Sequence, residues 1–171
     1  ENKNYSKSDD STSNFQTIIH EGVNREYVLH VPDSYDDSFS VPVVLNFHGF
    51  SGDAYQYMNE ADMRRLAEAE TFILIYPQGL DLDGSPHWNA CPSGGDNKSD
   101  VDDFGFIETL VEDVSSNYNI DLERVYAVGY SNGGMMAYGL ANHKSEIIAA
   151  VASVSGSMLD CTGPTSHPMP V

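Results

Sequence analysis

Two apolar runs, Pro42–Phe47 (PVVLNF) and Thr71–Tyr76 (TFILIY), restrict the fold of this chain more than any other feature. A strand with one face in solvent alternates apolar and polar residues, whereas a run without that alternation predicts a strand buried on both faces. Further strands are predicted at Arg124–Tyr130 and Ile148–Val154, with helices between the strands. Strands that alternate with helices form right-handed βαβ units. The pattern predicts an α/β domain with a mainly parallel sheet and helices on both faces.

The remaining segments supply the other elements of such a fold. Residues from Phe104 to Tyr118 carry apolar side chains at helical spacing, and Asp102 or Asp103 is placed to cap the first turn of this helix. Residues Gln78–Asp100 show no period, and a long loop inside a compact domain is usually functional. The other predicted elements are helices at Asp53–Glu70 and Asn132–Asn142, a hairpin of Thr17–His20 with Arg25–Val31, and a short strand that begins at Pro170–Val171.

The first residues of the chain differ in composition from the rest. Residues 1–14 are polar and are expected to form a flexible tail, and residues 15–171 are expected to form one domain. The tail lacks the basic and apolar regions of a signal peptide, so it is typical of the start of a mature secreted protein or of a trimmed chain. No apolar stretch reaches the roughly 18 residues that a membrane-spanning helix needs.

The charge balance limits the partners of this protein. The chain has 8 Lys and Arg against 26 Asp and Glu, a formal net charge of −18. Nucleic-acid binding depends on basic residues that neutralise phosphates, so a nucleic-acid partner is excluded, and an anionic membrane surface is disfavoured for the same reason. The two cysteines lack CxxC spacing, and the acidic stretch Asp96–Asp103 lacks EF-hand spacing. We therefore expect no metal site, and we assign the acidic stretch to helix capping and solvation.

A GxSxG motif, Gly129-Tyr130-Ser131-Asn132-Gly133, lies where a predicted strand meets a predicted helix. This context is that of the nucleophile elbow, a turn so tight that a side chain at either glycine would collide with neighbouring backbone. The serine then lies at the N-terminus of the helix, where the dipole and free N–H groups favour negative charge. The motif predicts that Ser131 is a catalytic nucleophile.

A second glycine-rich sequence, HGFSG at residues 48–52, directly follows the buried strand PVVLNF. In α/β-hydrolases the loop after this strand donates one oxyanion N–H, and the residue after the nucleophile donates the other. We therefore expect the backbone N–H groups of Phe50 and Asn132 to form the oxyanion hole. His48 is interpreted as a buried, hydrogen-bonded residue that shapes the loop rather than as an acid or a base.

Several motifs together resemble one family of esterases. These motifs are Val101–Ile107 (VDDFGFI), Tyr118–Asp121 (YNID), Arg124–Tyr126 (RVY) and Gly129–Met136 (GYSNGGMM). They resemble the secreted esterases grouped with polyhydroxybutyrate depolymerases, to which feruloyl and acetylxylan esterases are similar. The resemblance covers Arg25–Val171, and the HGF, YPQG, HWN and elbow motifs occur in the family's order. It implies an α/β-hydrolase fold and a serine carboxylic-ester hydrolase that needs no cofactor.

The resemblance also exposes a missing part of the catalytic triad. In this fold the acid and the histidine follow the nucleophile along the chain, and only His143 and His167 follow Ser131. His143 falls at the end of the elbow helix, away from the nucleophile, and His167 lies in a Ser-His-Pro sequence. We expect the triad acid and histidine beyond Val171, so that the chain is the N-terminal portion of a truncated or cleaved domain rather than a degenerate enzyme.

Three residues of the loops are assigned further roles. Trp88, in the loop at the active-site edge, is a candidate to stack on a sugar or aromatic acyl group, and anchoring of the loop is an equal alternative. Cys91 and Cys161 follow parallel strands and lie at the same sheet edge, so we expect a disulfide between them. Such a bond survives in oxidising compartments, which indicates a secreted or periplasmic protein. Two free thiols in an intracellular protein are the alternative.

These motifs predict the reaction and its partners. We expect an acyl-enzyme mechanism on short-chain esters, on feruloyl or acetyl polysaccharide, or on polyhydroxyalkanoate-type esters. The expected partners are the ester substrate and the C-terminal part of the same protein. Two alternatives stay open, which are a non-catalytic carbohydrate or polyester binder on the same scaffold and a peptidase of the same fold.

Overall fold

The computed structural model describes residues 15–92, 97–162 and 167–171, and the expected tail at residues 1–14 lies outside these ranges. The strands are β1 (Gln16–His20), β2 (Val23–His30), β3 (Val41–Phe47), β4 (Ile73–Pro77), β5 (Leu80–Leu82), β6 (Ser85–His87), β7 (Ile120–Tyr130) and β8 (Ala150–Val154). The helices are α1 (Ala54–Glu60), α2 (Arg64–Glu70), α3 (Asp103–Asn117) and α4 (Asn132–His143), and a 3₁₀ turn spans Asp160–Thr162.

Six of the strands form one sheet in the order β1-β2-β4-β3-β7-β8. β3 pairs in parallel with β4 and β7, and β8 pairs in parallel with β7. β1 and β2 form the expected antiparallel hairpin, and its turn residues Glu21 and Gly22 both have positive φ, as a two-residue hairpin turn requires. The prediction of a mainly parallel sheet is confirmed.

Both faces of the central strands are covered by helices. In β4, Ile73 and Ile75 pack into a core with α3 and α4, whereas Leu74 and Tyr76 pack into a second core with α1 and α2. All four side chains are fully buried. This strand therefore lacks polar alternation because both of its faces are buried, as the sequence indicated.

The prediction of one continuous helix at Asp53–Glu70 is wrong, because the structure has two helices there, α1 and α2. The break lies at residues 61–63, where the Tyr76 hydroxyl donates to Ala61 O at 2.7 Å and accepts from Met63 N at 3.2 Å. The Asp62 side chain accepts from Arg64 N at 2.9 Å and so satisfies the first N–H group of the second helix. A buried side chain from β4 thus satisfies the backbone groups that the helix loses at the break.

The prediction of an irregular loop at Gln78–Asp100 is also wrong in part, because this segment contains the β5–β6 hairpin. The hairpin turns at Asp83 and Gly84, which both have positive φ. An Asp-Gly pair is a strong sequence signal for such a turn, and it was present in this segment. The strand expected at Pro170–Val171 does not form, although Pro170 O accepts a hydrogen bond from Val151 N in β8 at 3.1 Å.

No helix within the described ranges combines the length and the apolar character that crossing a membrane requires.

Candidate active site

Ser131 forms the turn between β7 and α4. Its backbone has φ 53° and ψ −115°, a conformation that residues with a side chain rarely adopt and that is typically retained at functional sites. Two hydrogen bonds hold it there, since Ser131 N donates to Val154 O at 2.8 Å and Ser131 O accepts from Met135 N at 3.0 Å. The strained turn places Ser131 at the N-terminus of α4.

The two glycines of the GxSxG motif allow this turn to pack against β3. A Cβ atom on Gly129 would overlap the Gly133 carbonyl, and one on Gly133 would overlap the Phe47 carbonyl and approach His48 O at 2.5 Å. These contacts are with backbone atoms, which cannot move aside as the end of a flexible side chain can. The reason given for the glycines from the sequence is therefore confirmed.

The HGFSG loop lies directly against Ser131. β3 and β7 are parallel neighbours with Phe47 opposite Gly129, so both strands deliver their following residues to the same edge of the sheet. A Cβ atom at Gly49 would lie 3.5 Å from Ser131 Cβ. Among the described residues, neither Phe50 N nor Asn132 N has a hydrogen-bond acceptor. The residue after Ser131 and the residue after Gly49 thus each have a backbone N–H without an acceptor.

His48 is fully buried and both of its ring nitrogens are engaged. Nε2 accepts from Gly79 N at 3.0 Å, so the proton lies on Nδ1, which donates to Gly49 O at 2.7 Å. Burial lowers the pKa of His48, and the hydrogen bond to Gly49 opposes this effect. His48 is therefore a neutral residue that fixes the HGFSG loop, as the sequence suggested.

This burial predicts a pH dependence of stability. Since the pKa of His48 is lower in the folded than in the unfolded chain, the unfolded chain binds the proton preferentially, and stability is lost as the pH falls below about 6.5. We expect the free energy of unfolding, measured in urea between about pH 7 and pH 5.5, to fall more steeply in the natural protein than in a His48→Gln variant. Equal slopes would contradict this assignment.

Trp88 anchors its loop beneath the active site. The side chain is 2% exposed, its Nε1 donates to His48 O at 3.0 Å, and its ring packs edge-on against Phe47. The Asn132 side chain fixes the backbone of Trp88. It accepts a hydrogen bond from Trp88 N at 2.8 Å and donates one to Trp88 O at 3.0 Å. Of the two roles considered for Trp88, this burial supports anchoring of the loop.

A buried ion pair that sequence reasoning missed supports the same loop. Arg25 in β2 donates to Asp103 Oδ1 at 2.7 Å, and both side chains are at most 2% exposed. Asp103 Oδ2 accepts from Asn89 N at 2.7 Å, next to Trp88. Of the two acids expected to cap α3, Asp102 is the cap and accepts from Gly105 N at 2.9 Å. No local pattern marks Arg25 as the partner of an acid 78 positions away.

The expected disulfide is present. It joins Cys91, three residues after Trp88, to Cys161 in the 3₁₀ turn after β8, with 5.6 Å between the Cα atoms. α4 contacts this 3₁₀ turn. The bond thus links the Trp88 loop to the segment that follows the strand next to the nucleophile.

A cavity of about 250 Å³ lies beside the HGFSG loop. Its walls include Gly49, Phe50, Tyr57, Glu60 and Tyr130, the residue that directly precedes Ser131. Phe50 and Tyr130 are about half exposed. Burial, followed by the nearby Tyr76, Tyr130 and Glu60, raises the pKa of Tyr57 to about 12, so its hydroxyl remains protonated. The cavity offers aromatic surface and hydrogen-bonding groups.

None of the six histidines, all of which lie in the described ranges, has a hydrogen bond to Ser131. His143 closes α4 and packs on Phe104, and twelve helical residues (143 − 131) place it about 18 Å from the nucleophile. His167 hydrogen-bonds with Ser145 at 3.2 Å. The others occupy β1, β2, β6 and the buried HGFSG loop. The structure therefore brings the GxSxG turn and the HGFSG loop together, but no histidine ring of the described residues hydrogen-bonds to Ser131.

Comparison with known proteins agrees with this geometry. A family model described as esterase PHB depolymerase matches residues 26–168. Feruloyl esterase B of Thermothelomyces thermophilus is 30% identical over 143 residues, which cover 81% of this chain and 46% of that protein. Feruloyl esterase C of Emericella nidulans is 28% identical over 158 residues, which cover 86% of this chain and 54% of that protein.

A solved structure extends the comparison to the fold. The acetyl xylan esterase from Aspergillus awamori superposes with a TM-score of 0.67 at 24% identity, covering 83% of this chain and 52% of that chain. The fold is accordingly that of the α/β-hydrolases, as the resemblance implied. The chain spans about half the length of the relatives named here.

Proposed function

This chain belongs to the esterase PHB depolymerase family, and we propose that it carries the nucleophile and the oxyanion hole of a serine carboxylic-ester hydrolase. The observation that supports this most is the strained Ser131 together with two backbone N–H groups, of Phe50 and Asn132, that have no acceptor among the described residues. Donors fixed by the fold stabilise a developing oxyanion without reorganisation.

The proposed reaction proceeds through an acyl-enzyme. Ser131 Oγ attacks the ester carbonyl carbon while its proton passes to a histidine base. The carbonyl oxygen becomes an oxyanion that accepts hydrogen bonds from Phe50 N and Asn132 N. The C–O bond to the alcohol then breaks, the histidine protonates the departing alcohol, and water releases the acid from Ser131 by the same steps. Since no histidine ring of the described residues hydrogen-bonds to Ser131, and both ring nitrogens of the adjacent His48 are engaged, the base and its acid are assigned to residues beyond Val171.

The proposed substrates are uncharged esters. The net charge of −18 repels strongly anionic polymers, and the aromatic walls of the cavity beside the HGFSG loop favour an apolar or aromatic acyl group. Feruloyl or acetyl polysaccharide, short-chain esters and polyhydroxyalkanoate-type polyesters fit this description. The disulfide supports a secreted or periplasmic protein, because such bonds persist in oxidising compartments.

Covalent labelling tests the nucleophile without a choice of substrate. We expect a fluorophosphonate to label the complete protein on the tryptic peptide of residues 125–144, in which Ser131 is the only serine. A Ser131→Ala variant should remain unlabelled, and a Ser157→Ala variant, which removes an exposed serine after β8, should be labelled normally. A folded protein that is not labelled at Ser131 would support a non-catalytic binder instead.

A further inference from the structure

Three potential metal ligands meet at the end of β1, on the far side of the sheet from the nucleophile. His20 ends β1, Glu21 begins the following turn, and Asp102 caps α3. One ligand atom from each lies within 4.8 Å of the other two. β1 and β7 are four strand positions apart in the sheet, about 19 Å at ordinary strand spacing, so this cluster is separate from Ser131.

The hydrogen bonds of His20 determine which nitrogen carries the proton. Thr109 Oγ1 donates its proton to Gly105 O at 3.0 Å, so in its 2.9 Å contact with His20 Nδ1 it acts as the acceptor. Nδ1 therefore carries the ring proton, and in the neutral imidazole the lone pair is on Nε2. A histidine that binds a metal through Nε2 commonly donates from Nδ1 in this way.

The lone pair of His20 points at negative groups. Nε2 is buried and has no hydrogen-bond partner, and the nearest charged atom is Asp102 Oδ2 at 3.5 Å. A lone pair that faces a carboxylate is repelled unless a cation or a proton lies between them. Ligand atoms held tetrahedrally around Zn²⁺ by bonds of about 2.05 Å are about 3.3 Å apart, close to this separation.

The surrounding backbone leaves room for this arrangement. A Cβ atom at Gly105 would overlap Asp102 Oδ2 and lie 2.8 Å from His20 Cε1, so any other residue there would force the pair apart. The cluster opens into a cavity of about 380 Å³ that Asp100 also lines. The cavity gives an ion access and leaves space for water as a further ligand.

We propose that His20, Glu21 and Asp102 bind one Zn²⁺ ion that fastens the β1–β2 hairpin to the start of α3. One imidazole and two carboxylates suit a borderline ion such as Zn²⁺ better than Ca²⁺, which prefers oxygen ligands alone. The two carboxylates balance the charge of the ion. A single proton on Nε2 would pair with only one of them.

Calorimetric titration of Zn²⁺ into the EDTA-treated, complete protein tests this site without reference to esterase activity. We expect one ion per chain, and about 100-fold weaker binding in His20→Gln and in Asp102→Asn. Asn is as good an N-cap as Asp, so the second variant retains the start of α3. With Co²⁺ as the probe, a visible absorption band should appear in the natural protein and disappear in His20→Gln.

A histidine at the far end of the adjacent strand β2 gives a matched control. His30 Nε2 lies 2.9 Å from Glu68 Oε1, and within the described part of the chain this pair has no third ligand group. His30→Gln should leave Zn²⁺ affinity unchanged. Absence of stoichiometric binding, or equal binding in His20→Gln and the natural protein, would overturn the proposal and leave a contact between the His20 and Asp102 side chains alone.

Discussion

Replacement of Ser131 by alanine is expected to lower kcat/KM for p-nitrophenyl acetate by about 10⁴-fold to 10⁶-fold in the complete protein. The nucleophile, the base and the acid act as a unit, so removing the nucleophile abolishes the acyl-enzyme route and leaves only the contribution of the oxyanion hole and of binding. Steady-state kinetics measure this loss. Alanine has no Oγ but places the same Cβ atom in the strained turn, so the fold should be retained.

The kinetics need a control for general damage to the protein. Ser157→Ala alters an exposed serine on the same edge of the sheet and should keep the natural kcat/KM. Circular dichroism of both variants should match that of the natural protein. Undiminished activity of the Ser131→Ala variant would show that another residue is the nucleophile.

Replacement of Arg25 by methionine is expected to lower the free energy of unfolding by about 3 to 5 kcal/mol. The change leaves the Asp103 carboxylate buried without its cationic partner, and it removes the guanidinium that stacks 3.8 Å from the centre of the Phe106 ring. Desolvation lowers the pKa of Arg25 and raises that of Asp103, while their mutual attraction opposes both shifts. Urea unfolding measures the effect.

An exposed ion pair of the same type gives the comparison. Arg124 contacts Asp121 at 2.6 Å, but both side chains are partly in solvent, so Arg124→Met should cost less than about 1 kcal/mol. The double variant Arg25→Met/Asp103→Leu should recover part of the loss, because it removes the unpaired charge. Equal losses in Arg25→Met and Arg124→Met would mean that burial adds nothing to the first pair.

Local patterns in the sequence determined most of the framework. The runs PVVLNF and TFILIY predicted strands that are covered on both faces. The helices between the strands predicted that the strands are mainly parallel. The GxSxG motif located the strained turn because only glycine fits against the backbone at Gly129 and Gly133. Such signals are readable because each depends on residues that are close together along the chain.

Only the tertiary structure decided which distant residues meet. It buried Trp88 beneath the HGFSG loop, paired Arg25 with Asp103, and placed His20 beside Asp102, 82 positions further along the chain (102 − 20). The sequence left Trp88 as either a substrate platform or an anchor, and it assigned Asp103, with the rest of the acidic stretch, to helix capping and solvation. Contacts of this kind depend on which strands are neighbours and on their register. Neither property can be predicted from a short segment of the sequence.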